Sequence, residues 1–426
     1  MAHRTTRTEY KKLINRINRH PQGAPETELL YRILQMLFSK KEADLVARLP
    51  IKPISLKTAA GIWKMSEAAA KNILDNLCSR GIMLDMELNG RLEYTLPPPM
   101  AGFFEFSLMR ITKDIDQKLL SELYYQYLNV EDDFVRELFG KGDTKLGRIF
   151  VNEPALPDDN SLHVLDYERS TEIIKSASHI GVGVCYCRHK MMHMKKACDA
   201  PLDVCMTLGT TASSLIRHNV IRQVDTAEAL DILDLAYEHN LVQFGENVRS
   251  RVNFICHCCG CCCEALLAVK RFAVMNPVHT TNFIPQINLE SCKGCGKCAK
   301  ACPVEAIELT AKNDLKNQKR KQAKLDEQRC LGCGVCVRVC KSKSISLKPR
   351  KTRVLTPMNI AHKTVLMAIE RGTFQHLIFD NRVMLSHRAL ATLLGVVLKL
   401  PPAKQILAAK QVRSRYLEAI IAMSNM

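Results

Sequence analysis

The chain has no long apolar run. Its longest apolar-rich stretch, within RALATLLGVVLKLP (388–401), is about twelve residues, whereas a bilayer-spanning helix needs about twenty. The opening, MAHRTTRTEYKKLINRINRHPQ, has no apolar core of the kind an export leader carries, so a cytoplasmic location is expected. No glycine fingerprint for a dinucleotide and no flavin motif occurs, so any electrons must come from another molecule. Acidic residues are few: 43 Asp and Glu stand against 61 Lys and Arg, a net charge of +18. Residues 341–426 hold fifteen basic and three acidic residues. That bias suits an acidic redox partner, an anionic membrane surface or nucleic acid, and alone selects none of them.

Cysteine is what the chain has in excess, at 19 residues. Without an export leader, such a number points to metal sites in a reducing compartment rather than to disulfides. Eight of the cysteines form two runs of Cys-x2-Cys-x2-Cys-x3-Cys. The first is Cys292, Cys295, Cys298 and Cys302; the second is Cys330, Cys333, Cys336 and Cys340. Cysteines three apart on a tight loop can turn their thiolates onto one core, and Gly294, Gly296, Gly332 and Gly334 permit the turns this needs.

The two runs resemble those of the bacterial dicluster 4Fe-4S ferredoxin family. The resemblance implies two [4Fe-4S] clusters, each held by three cysteines of one run and the last of the other. Cluster I would use Cys292, Cys295, Cys298 and Cys340; cluster II would use Cys330, Cys333, Cys336 and Cys302. Pro303 follows Cys302 as the family pattern expects. Lys341 stands where the second proline would be, a departure that removes no ligand. The repeat predicts a pseudo-twofold pair of strands after the runs, at 306–309 and 344–347, with 283–289 and 323–326 opposite them. Ile307, Leu309, Ile345 and Leu347 would cover the clusters. The basic insert 310–323 is expected to be an exposed loop or a solvated helix.

Ten further cysteines lie in the middle of the chain. Cys185, Cys187, Cys198 and Cys205 fall within 21 residues, and NFICHCCGCCCEALLAVKRF adds Cys256, Cys258, Cys259, Cys261, Cys262 and Cys263. Alternation after Gly183 predicts a strand that presents Cys185 and Cys187 on one face. Cys198 and Cys205 are expected in irregular chain around Pro201. A strand ending at Cys256 would lead into the second cysteine loop, and the helix after Cys263 would turn its backbone N–H groups toward an anionic centre. All ten are candidate metal ligands for a third or fourth iron–sulfur centre, with zinc or metal-free thiol chemistry as alternatives. His189 and His193 are further candidates, and Arg188, Lys190, Lys195 and Lys196 could screen a cluster's charge. The CCG string resembles the cysteine-rich domain of heterodisulfide reductases. It lacks that family's two separated CC pairs and later Cys-x2-Cys, so no catalytic residue is carried over, and the catalytic residues are unassigned.

The remaining segments follow apolar periodicity and turn residues. Helices are expected across 26–79, with Ser66 as an N-cap and Ala69, Ile73, Leu74 and Leu77 facing inward; a hairpin at 82–96 would turn on Asn89-Gly90. Three helices and a hairpin resemble a winged helix-turn-helix domain. Its helix 66–79 and the residue after it offer only Lys71, Asn72, Asn76 and Arg80 for base reading, so protein docking or intramolecular packing is favoured over DNA. Helices are also expected at 114–128, 224–240, 358–372, 388–401 and 403–423; the last could lie on an anionic membrane surface.

The expected fold class is α+β and multidomain: a basic, mostly solvated arm (1–25), a winged-helix-like domain (26–97), a helical and cysteine-rich α/β middle domain (98–275), a dicluster ferredoxin domain (276–350) and a basic helical C-terminal segment (351–426). The leading functional expectation is electron transfer to a redox protein partner or enzyme complex. The alternatives are an iron–sulfur oxidoreductase subunit acting on a substrate at the middle centre, and a redox-responsive DNA-binding regulator.

Overall fold

A computed structural model describes residues 2–156, 164–272, 277–312 and 321–379, with backbone alone for residues 2–7. The helices expected at 388–401 and 403–423, and residues 313–320 of the insert, lie outside the described residues. The chain is a mixed α+β protein with two compact units. One gathers the described parts of residues 1–144, 210–222 and 358–426, the other those of 145–209 and 223–357.

In the first unit, the stretch expected to be a solvated arm is instead the helix Ala2–Ile17. Tyr10, Leu13, Ile14 and Ile17 fall on one face at helical spacing and are buried. The Tyr10 hydroxyl donates to the Phe38 carbonyl at 2.9 Å. The abundance of basic residues conceals an apolar stripe strong enough to dock the helix. Helices follow at Glu28–Leu37, Lys40–Ala47, Leu56–Trp63 and Glu67–Ser79. The Ser66 hydroxyl caps the last of these by accepting from the Ala69 N–H at 3.3 Å. Its buried face is Ala70, Leu74, Leu77 and Cys78; Ala69, expected inward, is exposed, because the stripe runs one position later.

Strands Leu84–Leu88 and Arg91–Thr95 form the expected hairpin. Asn89 and Gly90 both take positive φ, 51° and 72°, as a tight hairpin turn of this twist requires. Ile54–Ser55 pairs with the other side of Arg91–Thr95, giving a three-stranded sheet. The phenylalanines after the proline run stack with Phe38 and Tyr124: ring centroids are 6.1 Å apart for Phe38–Phe103, 4.9 Å for Phe103–Phe104 and 5.0 Å for Phe104–Tyr124. Edge-on and tilted pairs of this kind add to the burial of the rings themselves.

The second unit is built on a sheet with its strands in the order Gly147–Ile149, Val242–Glu246, Phe254–Cys258, Asp203–Leu208, Ile180–Val184. Its central strands are buried and rich in β-branched and apolar residues, which suits a sheet covered on its faces. The helix Thr226–Glu238 stops as the sequence indicates, with Asn240 at φ 55°. The same unit contains two short two-stranded antiparallel sheets, Phe283–Ile287 with Ile345–Pro349 and Ile307–Ala311 with Lys321–Leu325. The paired strands match the pseudo-twofold expected from the repeated cysteine runs. The ends of the basic insert, 310–311 and 321–323, belong to the second of these sheets, so they are strand rather than loop.

Candidate metal centres

Each cysteine run is a loop feeding a short helix, Lys297–Ala301 or Val335–Arg338. The loops depend on their glycines. Gly296 and Gly334 take φ of 77° and 76° at corresponding positions, a region that side chains resist. A β-carbon at Gly294 would overlap the Lys321 carbonyl, and one at Gly332 would overlap the Phe283 carbonyl. Cys292, Cys298 and Cys336 sit in one apolar cluster with Ile307, Ala323 and Ile345, with Leu309 and Cys340 against it. Leu347 packs instead with Phe283 and Val151.

Cys302 is an electrostatic neighbour of Cys330, Cys333 and Cys336, although it belongs to the other run. Burial pushes the Cys330 thiol up to about 11 and the Cys333 thiol up to about 12, with the neighbouring thiols adding to the shift. These thiols resist ionisation on their own, and a bound cation is what would favour their anionic form. Backbone N–H groups already point at the sulfurs: Ala306 donates to Cys302 Sγ at 3.2 Å and Gly332 to Cys330 Sγ at 3.4 Å. The cysteines of the two runs supply soft donors, and the Ser342 hydroxyl lies 3.5 Å from Cys340 Sγ as a hydrogen-bond partner. The residues fit an iron–sulfur cluster.

In the middle of the chain, the strand Ile180–Val184 ends one residue before Cys185. Cys185 is the N-cap of the helix Tyr186–His193, and Cys187 lies in that helix. The expected strand presentation is therefore replaced by a strand-to-helix junction, because the chain turns as soon as it leaves the sheet. Cys205 lies on the strand Asp203–Leu208 rather than in irregular chain. The strand Phe254–Cys258 runs two residues past the expected end. It carries Cys256 and Cys258 on one face and places His257 between them on the other. Cys263 is the N-cap of the helix Glu264–Arg271. Both strand-to-helix junctions thus put a cysteine at a helix N-terminus, where the helix dipole favours a thiolate.

The ten thiols divide into two sets. Six form a closed ring of hydrogen-bonded neighbours: Cys185 with Cys187, Cys187 with Cys263, Cys263 with Cys258, Cys258 with Cys256, Cys256 with Cys205, and Cys205 with Cys185. Cys185, Cys256 and Cys263 are held low by hydrogen bonds from their neighbours, Cys256 and Cys263 to about 5. Cys187, Cys258 and Cys205 are held high by the same bonds. A closed ring of six neighbouring soft donors is suited to a cationic centre that would replace their protons.

The other four are Cys198, Cys259, Cys261 and Cys262, whose sulfurs all lie within 4.8 Å of one another. Cys259 is lowered to about 4, first by a hydrogen bond from Cys262 and further by Arg188. Burial pushes Cys261 up to about 12.

Arg188 borders both sets. It is 1% exposed, its guanidinium donates to the carbonyls of Pro201 and His257, and its charge acts on Cys185, Cys205 and Cys259. Lys190 and Glu264 form an ion pair in the interior, and the Tyr186 hydroxyl reaches Glu264 at 3.4 Å. These bonds tie the helix after Cys185 to the helix after Cys263. Periodicity did not reveal them, since charged residues on short helices read as solvent-facing. His257 is fully buried and burial lowers its imidazole to about 3, which keeps it neutral. His189 and His193 face each other, with their Nε2 atoms 3.3 Å apart.

The ferredoxin-like region and the cysteine-rich loop meet inside this unit. A β-carbon at Gly260 would overlap the Pro303 carbonyl, so the loop backbone lies directly on the residue after Cys302. Lys270 pairs with Glu305 at 2.9 Å beside it.

The first unit holds a different kind of site. The helix Glu67–Ser79 lines a cleft of about 510 Å³ together with Asp85, Arg217 and His218. Asp85 accepts from Ser214 at 2.6 Å and Arg217 at 2.6 Å, and meets His218 at 3.0 Å. Burial raises the Asp85 carboxyl, but its hydrogen bonds to His218, Ser214 and Arg217 outweigh this and leave it below the usual range. Lys71 is paired with Asp75 and Arg80 with Glu42, which neutralises two of the four side chains expected to be free for base reading. All nineteen cysteines are unbridged, and among the described residues no helix is long and apolar enough to cross a membrane.

Neither curated proteins nor solved structures gave a match to this chain. Residues 291–344 match the family described as 4Fe-4S dicluster domain, so the region with the two cysteine runs is an iron–sulfur domain of that kind.

Proposed function

We propose that the protein is an iron–sulfur electron-transfer protein that serves a redox partner, with two [4Fe-4S] clusters in the dicluster domain and at least one further iron–sulfur centre on the six-cysteine ring. In this reading Cys292, Cys295, Cys298 and Cys340 hold one cluster and Cys330, Cys333, Cys336 and Cys302 the other. Such clusters supply one-electron transfer at potentials set by burial, hydrogen bonds and nearby charge. The observation that carries the reading is the seating of Gly260 on Pro303, which brings the cysteine-rich loop within a residue of Cys302. Buried thiols, backbone N–H groups aimed at sulfur and the Arg188 guanidinium are the means by which this chain would tune such centres.

The sequence assignment that accompanies this reading is a winged-helix-like docking domain at 26–97, a middle domain at 98–275, a dicluster domain at 276–350 and a basic helical segment at 351–426. A reducing, cytoplasmic setting suits so many free thiols. The ion pairs of Lys71 and Arg80 favour protein docking over base reading for the helix Glu67–Ser79.

The test is iron and acid-labile sulfide analysis of anaerobically isolated protein, followed by EPR during a redox titration. Iron well above about eight per chain, with matching sulfide and a third set of EPR signals, is the expected result. About eight irons per chain, all lost when the dicluster cysteines are replaced, would rule out the middle centre.

A further inference from the structure

The two cysteine sets differ in spacing in a way that bears on what each can hold. Four thiolates on one tetrahedral ion with metal–sulfur bonds of about 2.3 Å stand about 3.8 Å apart, from tetrahedral geometry alone. In a cubane each thiolate binds a different iron, so its four sulfurs lie further from one another. Among the described residues, only two sets of three or more Cys, His, Asp or Glu have every ligand atom within 4.8 Å of the others: the cysteine tetrad, and Cys78 with Asp85 and His218. Neither foursome of the dicluster domain is drawn so close, although all eight of its cysteines are described. The Sγ atoms of Cys261 and Cys262 are 3.7 Å apart, which is the tetrahedral edge.

We infer that Cys198, Cys259, Cys261 and Cys262 form a mononuclear tetrathiolate site for one soft divalent ion of the zinc type, separate from the six-cysteine ring. The donors are four sulfurs with no carboxylate or imidazole among them, the set that selects zinc or a single iron over hard cations. The Arg188 guanidinium bonds to Cys259 and offsets part of the negative charge of four thiolates around a dication. Cys198 comes from the loop before Pro201, and the other three from the loop around Gly260. An ion held by all four staples the two loops together, close to the ring but outside it. Cys261 is exposed and Cys198 half-buried, so the ion can enter from solvent.

The test uses the full chain isolated anaerobically. Zinc, iron and acid-labile sulfide are measured in the parent protein, in a Cys198→Ser/Cys261→Ser variant and, separately, in a Cys187→Ser/Cys256→Ser variant of the ring. The tetrad variant is expected to lose about one zinc, or one iron without sulfide, per chain and to keep its remaining iron and sulfide. Zinc-edge or iron-edge X-ray absorption of the parent protein supplies a readout that does not depend on the variant folding: a shell of sulfur alone at about 2.3 Å supports the site. Loss of several irons together with sulfide from the tetrad variant would make it a cluster and overturn the inference, as would unchanged metal content or an oxygen and nitrogen shell on the ion. The ring variant reports on the additional iron–sulfur centre, so failure of that centre and failure of the tetrad site are told apart.

Discussion

Replacing Glu264 by Gln tests whether the two cysteine-bearing helices are fastened to each other by charge. The Lys190 side chain is 0% exposed and that of Glu264 4%, so solvent cannot replace the lost carboxylate. Removing one partner of a buried ion pair costs about 3–5 kcal/mol, because the surviving charge stays in the interior. For a unit built from residues 145–209 and 223–357, each kcal/mol lowers the melting temperature by about 2–4 °C. Glu264→Gln should therefore melt roughly 6–20 °C lower. Lys190→Met/Glu264→Gln removes both charges and should recover more than half of that loss, since a neutral pair of similar volume is often no less stable than the ion pair. Because Cys185 and Cys263 cap the two helices, Glu264→Gln should also release middle-domain metal faster under chelator, with the dicluster clusters unaffected. The assay is thermal denaturation of Glu264→Gln, Lys190→Met and the double variant under anaerobic conditions, with metal release followed in parallel. A double variant as unstable as the sum of the two single ones would refute the electrostatic link.

Other perturbations address separate parts of the molecule. Gly260→Ala forces the cysteine loop away from the Pro303 carbonyl; about 1–3 kcal/mol of destabilisation is expected, together with weaker magnetic coupling between dicluster and middle centres in EPR. In the first unit, the folded-state carboxyl of Asp85 lies below its ordinary value of 3.8. Its contribution is thus fully present above that value and is lost as pH falls below it. Asp85→Asn should cost about 2–3 kcal/mol at neutral pH and flatten the acid limb. The single tryptophan, Trp63, is buried with its indole N–H donating to the Leu45 carbonyl at 2.9 Å, so its fluorescence during urea unfolding reports on this unit. Arg188→Met should lower the reduction potential of the middle centre by roughly 90 mV, since one buried charge is worth on the order of 2 kcal/mol at this range. Arg188→Lys keeps the charge and should keep most of the potential; equal shifts in both variants would show that its bonds to Pro201 and His257 matter instead.

The dicluster region was legible in the sequence because its information is local. Two runs at fixed spacing, with glycines at the turns, specify each loop without reference to the rest of the chain. The helix at Glu67–Ser79 and the Asn89-Gly90 hairpin were legible for the same reason. The docking of Ala2–Ile17 was not, since Tyr10, Leu13, Ile14 and Ile17 bury against helices whose position the sequence does not state. The middle cysteines show the limit most clearly. Read as a string, CHCCGCCC offers six thiols with no visible reason to separate them. Folding separates them by three ordinary rules in succession. Strand alternation puts Cys256 and Cys258 on the ring and turns His257 away. The backbone then leaves the sheet and passes against Pro303 at Gly260, which carries Cys259, Cys261 and Cys262 to the tetrad. The start of the helix Glu264–Arg271 returns Cys263 to the ring as its N-cap. Each rule was available from the sequence, but the places where one gives way to the next are set by contacts distant along the chain. The division of six neighbouring cysteines between two sets of thiols is therefore a property of the fold, and it is the reason a run this dense need not crowd a single site.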